Sequence, residues 1–175
     1  MFKTILIVIV VAVAALLVFA STRPDSFTVQ RSIVIKAPPE KIHGLINAFT
    51  NWPRWSPWEK LDPAMQRTLG GPPAGVGSNY AWSGNGKAGA GRMEITDSQL
   101  PGKVVIKLDF IKPFEGHNTA EFTLSPQGEG TEVNWRMFGP SPFISKVMGV
   151  FVSMDSLIGK DFEAGLANMK AEAEK

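Results

Sequence analysis

The sequence predicts an α+β fold, a curved antiparallel sheet gripping a long C-terminal helix, preceded by a single N-terminal transmembrane helix. Three observations predict it. Ile5–Ala20 is an unbroken apolar run. Between Met65 and Gly139, apolar and polar side chains alternate in segments separated by Gly- and Pro-containing turns. From Ile144 to Met169 the apolar residues recur at helical spacing instead.

The 175 residues, 44% hydrophobic and 19% charged, suit one domain with an N-terminal appendage. Residues 1–24 form the appendage and residues 25–175 the domain. A formal net charge of +2 without a basic stripe excludes a nucleic-acid footprint. The absence of Cys excludes disulfides, thiolate catalysis and thiolate zinc sites.

At ~1.5 Å per residue, Ile5–Ala20 spans roughly 24 Å as a helix, near the lower limit for crossing a bilayer. It reads either as a signal anchor stopped by Arg23-Pro24-Asp25 or as a signal peptide cleaved after Ala20. Lys3 favours a cytoplasmic N-terminus, which places the domain outside the cytosol: periplasmic-side and single-pass if anchored, secreted or periplasmic if cleaved.

Phe27–Lys36 alternates as a strand, stopped by Ala37-Pro38-Pro39-Glu40, where Pro suits a first helical turn. Ile42, Leu45, Ile46 and Phe49 follow at i, i+3, i+4 and i+7, predicting a helix of about three turns with His43 on its solvated side. Asn51–Trp58 carries three indoles on a Pro-braced loop. Gly70–Gly75 is a mobile loop, and Gly77–Ser83 is a strand with Tyr80 and Trp82 on one face. Met93 and Ile95, then Val104, Ile106, Leu108 and Phe110, then Ala120, Phe122 and Leu124, then Val133, Trp135 and Met137 mark the inward faces of four further strands. Ile144, Val147, Met148 and Phe151 open the apolar stripe of the C-terminal helix, which Met154, Leu157, Ile158, Phe162, Leu166 and Met169 continue. Gly159 and Gly165 within it suggest a bend or a close approach to the sheet.

A straight helix over a curved sheet touches it better at its ends than in its middle. The space left over becomes an apolar pocket, the usual place for a small ligand. On strand parity and helical spacing, the candidate ligand-binding residues are Trp58, Tyr80, Trp82, Met93, Phe110, Trp135, Met137 and Met154. Trp52 and Trp55 read as a rigid plug, and Trp58 is the indole that reaches the ligand or solvent.

The order strand, Ala-Pro-Pro-Glu, short helix, Asn51-Trp52-Pro53-Arg54-Trp55-Ser56-Pro57-Trp58, meander, and the stretch Met154–Lys170 resembles the SRPBCC, or START-like, helix-grip superfamily. The resemblance runs from about Phe27 to Lys175 and is strongest to a bacterial polyketide cyclase/dehydrase-like subgroup that often carries one N-terminal transmembrane helix. It implies a cavity for a hydrophobic molecule, favours the anchor reading and names no reaction.

Candidate chemistry is sparse. His43 and His117 stand in no metal-binding pattern, and His117, at a strand start, qualifies as a general base by pKa alone. Asp155 and Asp161 on the last helix, with Arg92 and Glu94 outward on a strand, suit surface pairing. The Gly70–Gly77 segment lacks the Lys-Ser/Thr ending of a phosphate loop and precedes a strand. No catalytic residue, metal site or cofactor is assigned. The expected partners are a small hydrophobic ligand and, through the N-terminal helix, a membrane. Two alternatives stay open: a cyclase or dehydratase acting on a polyketide-like substrate, and a protein-interaction domain at the membrane.

Overall fold

The computed structural model describes all 175 residues. A 20-residue apolar helix, α1 (Phe2–Ser21), leads through Thr22–Asp25 into β1 (Ser26–Ile35). Then follow α2 (Pro39–Ile46), two 3-10 turns (Phe49–Arg54 and Pro57–Lys60), and the strands β2 (Gln66–Gly70), β3 (Asn79–Ser83), β4 (Ala90–Gln99), β5 (Lys103–Lys112), β6 (Gly116–Gln127) and β7 (Gly130–Pro140). Two helices close the chain, α3 (Phe143–Met148) and α4 (Met154–Ala173). The strands form one antiparallel sheet in the order β1-β7-β6-β5-β4-β3-β2, curved around α4 and α2.

Period-2 alternation builds the sheet as expected. In β7, Thr131, Val133, Trp135 and Met137 are buried while the residues between them are half-exposed. Alternate residues of a strand project to opposite faces, so one face goes to the core and the other to water. The core is a chain of aromatic rings. Trp135 stacks on Phe162 of α4 at 4.1 Å with 11° between planes, and on Phe122 of β6 at 4.9 Å. Trp55 and Trp58 meet Trp135 edge-on at 5.6 and 5.5 Å. Each such pair adds about 0.5–1.5 kcal/mol beyond the area it buries.

Gly165 makes this stack feasible. A β-carbon there would lie 2.9 Å from Trp135 Cζ3 and 3.3 Å from Pro57 Cδ. The predicted gap beneath the middle of the C-terminal helix is therefore filled, because the glycine lets α4 settle directly onto ring carbons. At the N-terminal half of α4 the spacer is different. Arg31, on the inward parity of β1, places its guanidinium where a Gly159 β-carbon would fall, and bonds Asp155 (2.8 and 3.1 Å) and Glu163 (2.7 Å).

Three expectations change. The predicted three-turn helix is two turns, α2, and Phe49 already belongs to a 3-10 turn. His43 is buried rather than solvated, because this short helix lies against the central strands β5 and β6, and His43 Nε2 meets the Ser98 hydroxyl near the end of β4 at 3.3 Å. The apolar stripe from Ile144 to Phe151 does not run on into the core. Gly149 ends α3, and Ser153 caps α4 by accepting the Ser156 N–H at 3.1 Å. The stripe of α3 lies outside the sheet, mostly exposed.

Gly44 and Gly165 predict opposite signs for one substitution. Gly44, on α2, has nothing within 4 Å of the place an added β-carbon would take, so Gly44→Ala should stabilise by about 0.5–1 kcal/mol. Gly165→Ala gains the same helix propensity but wedges a methyl into a locked ring stack, at about 1–3 kcal/mol, for a net loss. Urea unfolding midpoints should rise for the first and fall for the second.

Candidate functional site

The eight residues expected to meet a ligand all lie on the concave side of the sheet or on the elements covering it, and they divide into two groups. Tyr80, Met93, Trp135 and Met137 are buried, whereas Trp58, Trp82, Phe110 and Met154 are half-buried and packed against the core. Strand register shows where the half-buried strand residues sit. Phe27 pairs with Gly139, Phe110 with both Gly116 and Gly91, and Gly91 with Trp82. All belong to the end of the sheet where β1 begins, the end nearest α1. The opposite end is closed by Trp52 and Trp55, whose indole N–H groups donate to the Ile46 and Leu45 carbonyls, both at 3.0 Å.

The concavity is thus an apolar trough at the α1 end. Two glycines deepen it: a β-carbon on Gly91 would strike the Trp82 ring at 2.4 Å, and one on Gly139 would strike the Asn118 amide oxygen at 2.2 Å. The Trp82 ring and the Asn118 amide consequently lie flat on the sheet. Trp82 meets Phe110 edge-on at 5.9 Å and donates its N–H to the Ala88 carbonyl at 3.0 Å. Trp135, by contrast, has a buried indole N–H with no hydrogen-bond partner. Rings, thioethers and one amide can adsorb a flat or chain-like apolar molecule.

The charged groups behind this surface are committed. The Tyr80 hydroxyl donates to Glu59 Oε1 at 2.7 Å, and Arg67 donates through Nε to Glu59 Oε2 at 2.6 Å and through Nη2 to the Glu59 carbonyl at 2.8 Å. Burial, with the Glu59 carboxylate second, pushes the Tyr80 phenol well above its ordinary range. Sequence reading misses Glu59 because the Pro57–Lys60 turn has no period to mark an inward side chain; the only signal is an Arg eight residues on. Asp155 is likewise used by Arg31. Asp161 is half-buried on α4 without an ion pair.

A second polar cluster lies on the convex face. Asp109, only 4% exposed, bonds His117 Nδ1 at 2.8 Å and Arg92 Nε at 3.0 Å, with Lys107 at 3.6 Å. The His117 hydrogen bond and the two cations hold the Asp109 carboxyl below its usual range. Asp109, His117 and Lys107 border an open groove of about 660 Å³ together with Arg136, Phe138 and Thr28. Phe27 and Asn118, on the inward parity of their strands, border the same groove, which therefore wraps around the α1 end of the sheet toward the trough. The Gly70–Gly77 segment is fixed rather than loose: Gly75 N–H donates to the Asn47 carbonyl at 3.0 Å and Gly77 N–H to the Ile95 carbonyl at 2.9 Å. It borders a cleft of about 110 Å³ beside Phe49.

The sequence profile of the family described as "Polyketide cyclase / dehydrase and lipid transport" matches residues 26–174. No curated protein matches the chain. Among solved structures, ginseng major latex-like protein 151 from Panax ginseng is similar at a TM-score of 0.62 and 15% identity, over 87% of this chain and 100% of that one. The Aha1 dimer from Colwellia psychrerythraea gives 0.61 and 18%, over 85% and 96%. The di-domain ARO/CYC BexL from the BE-7585A biosynthetic pathway gives 0.63 and 15%, over 90% of this chain and 53% of that longer one. At these identities the likeness establishes the fold alone.

Tyr80 is the only tyrosine, so the near-ultraviolet phenolate signal reports it alone. Its protonated form is favoured by the fold, so its contribution to stability is complete below the ordinary value of 10.0 and is lost as pH rises above it. The folded protein should show no phenolate step near pH 10, and the step should coincide with alkaline unfolding. Glu59→Gln should lower the Tyr80 titration only partly, since burial, the larger cause, remains.

Proposed function

The chain belongs to the polyketide cyclase/dehydrase and lipid transport family, and from that membership and the trough we propose that it holds a small hydrophobic ligand, lipid-like or aromatic, beside a membrane. The family supports a ligand-binding or cyclase domain; the binding reading rests on one observation above the others. Toward the α1 end of the sheet the half-buried apolar side chains Phe27, Trp82, Phe110 and Met154 border the core beside the Arg31–Asp155–Glu163 cluster. Soluble folds do not ordinarily leave large rings half-covered side by side, and such strips mark binding surfaces.

A cyclase reading would need ionisable groups converging on the trough. Glu59 is neutralised by Arg67 and Arg31 is taken up by α4, so neither is free to move a proton for a substrate.

In the same reading residues 1–24 are a retained anchor and residues 25–175 the ligand-holding domain. Helix α1 is long and apolar enough to cross a bilayer, and a signal sequence has the same character. Apart from Ala20 and half-buried Leu16 its side chains are exposed, which suits lipid and not a protein core. Lys3 at the start of α1 sets the domain on the outer, periplasmic side.

Two measurements test this. The intact mass of the membrane-extracted protein should include residues 1–20; a mass beginning at Ser21 would show cleavage and overturn the anchor. Solvent extraction of the purified full chain, followed by mass spectrometry, should yield an apolar molecule near one per chain. Phe110→Ala should retain about tenfold less of it, for a loss near 1.4 kcal/mol, with an unchanged circular dichroism spectrum. A chain that carries nothing apolar, or a variant that retains as much as the parent, would overturn the binding reading.

A further inference from the structure

The geometry points to a second membrane contact: α3 and the loop after it lie in the lipid leaflet beside α1, so that the trough opens onto the bilayer surface. This rests on the reading of α1 as a membrane span. Helix α3 packs against α1, and the residues of α1 that are covered are Ala20 and, one turn earlier, Leu16. Leu16 lies about 7–8 Å inside the end of α1, at hydrocarbon depth for a span of this length. Whatever packs there shares that depth.

The side chains of this element suit it. Phe143, Ile144, Met148, Phe151 and Val152 are all exposed, Ile144 to 65% and Phe151 to 71%. No acidic residue occurs between Pro140, at the end of β7, and Asp155. The single cation, Lys146, has a largely covered side chain turned back to Asp25 at 2.5 Å. Its charge is matched at the junction between α1 and β1, where headgroups would lie, and Arg23 stands at the same level. The element is also fixed. Ser141 N–H donates to the Asp25 carbonyl at 2.7 Å and Ser26 pairs with Pro140, so the start of α3 is tied to the α1–β1 junction. An apolar patch joined rigidly to the last turns of a membrane span is covered by the lipid that surrounds the span.

The trough shares this end. Phe27, Phe110, Trp82 and Met154 all lie at the α1 end of the sheet and of α4, and Phe114, at the tip of the β5–β6 turn there, is 72% exposed. Helix α3 and Phe114 thus give the domain two apolar feet around the mouth.

The chain has no Cys, so single-cysteine variants of the full chain can each carry one fluorophore. Phe151→Cys tests the contact, Val10→Cys tests the span and Glu129→Cys, in the turn at the far end of the sheet, is the outside control; all three positions are exposed. In phosphatidylcholine vesicles containing lipids spin-labelled near the headgroup or deep in the chain, position 10 should be quenched by the deep label and position 151 by the shallow one. Quenching at 151 should exceed that at 129 by about fivefold or more. Quenching at 10 without quenching at 151 overturns the leaflet contact and leaves the anchor standing. Absence of quenching at 10 overturns the anchor itself. Shielding at 151 that grows with protein density in the vesicles, with cross-linking between chains, would assign the patch to a second copy and overturn the lipid contact.

Discussion

The shape of the molecule depends on one contact, the stack of Phe162 on Trp135 beneath Gly165. A helix can approach a sheet to ring-stacking distance only where it has no β-carbon, and Gly165 supplies that position. The sheet beneath the 20 residues of α4 is curved, so contact that is close at Gly165 is not repeated along the whole helix. Nearer the start of α4 the spacer is different. Arg31 fills the space under Gly159 and is gripped by Asp155 and Glu163, so the first turns of α4 rest on a guanidinium, whereas Phe162 and Gly165 further along meet the aromatic stack. One glycine brings the middle of α4 onto the rings, and the other accommodates the charged group beneath its first turns.

This unequal closure sorts the chemistry of the molecule. Rings that fall under the close half of α4, such as Trp55, Phe122 and Phe162, are removed from water and act as core. Rings at the open half keep an accessible face although they belong to the same inward rows of the strands. The convex face is the opposite case. Its carboxylates and cations pair across strands, Asp109 with His117 and Arg92, Glu121 with Lys103 and Arg136. Pairs whose two partners are both solvated, such as Lys103 with Glu121, contribute little to stability individually. They keep a sheet with one apolar face from presenting a second.

Much of this is legible in the sequence, and the reason differs by element. Alternation with period 2 assigns the inward face of every strand from β3 to β7, so all eight expected ligand residues fall on the concave side or its cover. The fold class follows from that face needing a helix to cover it. The filled interior is not legible, because periodicity says which side chains point inward and not how far apart the layers sit. That distance depends on a single missing methyl at Gly165. His43 escapes notice because a two-turn helix lying flat buries flanks that a longer amphipathic helix would expose. Glu59 escapes because turns carry no period. The stripe from Ile144 to Phe151 reads correctly as apolar and wrongly as core, since a hydrophobic face in a sequence does not reveal whether protein or lipid covers it.

That ambiguity bears on how an apolar molecule would reach the trough. Passing a ligand through water exposes it at about 0.8 kcal/mol per methylene, so a ten-carbon chain meets a barrier of roughly 8 kcal/mol in hydration alone. A mouth facing water would impose that barrier on every exchange, however well the rings bind. A mouth at the α1 end, ringed by Phe114, Phe143 and Phe151, lets rings replace lipid chains around the ligand step by step. Under the proposed leaflet contact, half-buried Trp82 and Phe110 would turn their open faces to acyl chains and headgroups, where aromatic side chains are favoured, rather than to bulk water. Unequal closure of the grip, the rigid junction between α1 and α3, and the exposed stripe then become parts of one requirement, that the open end of the sheet and the apolar surface beside it point in the same direction.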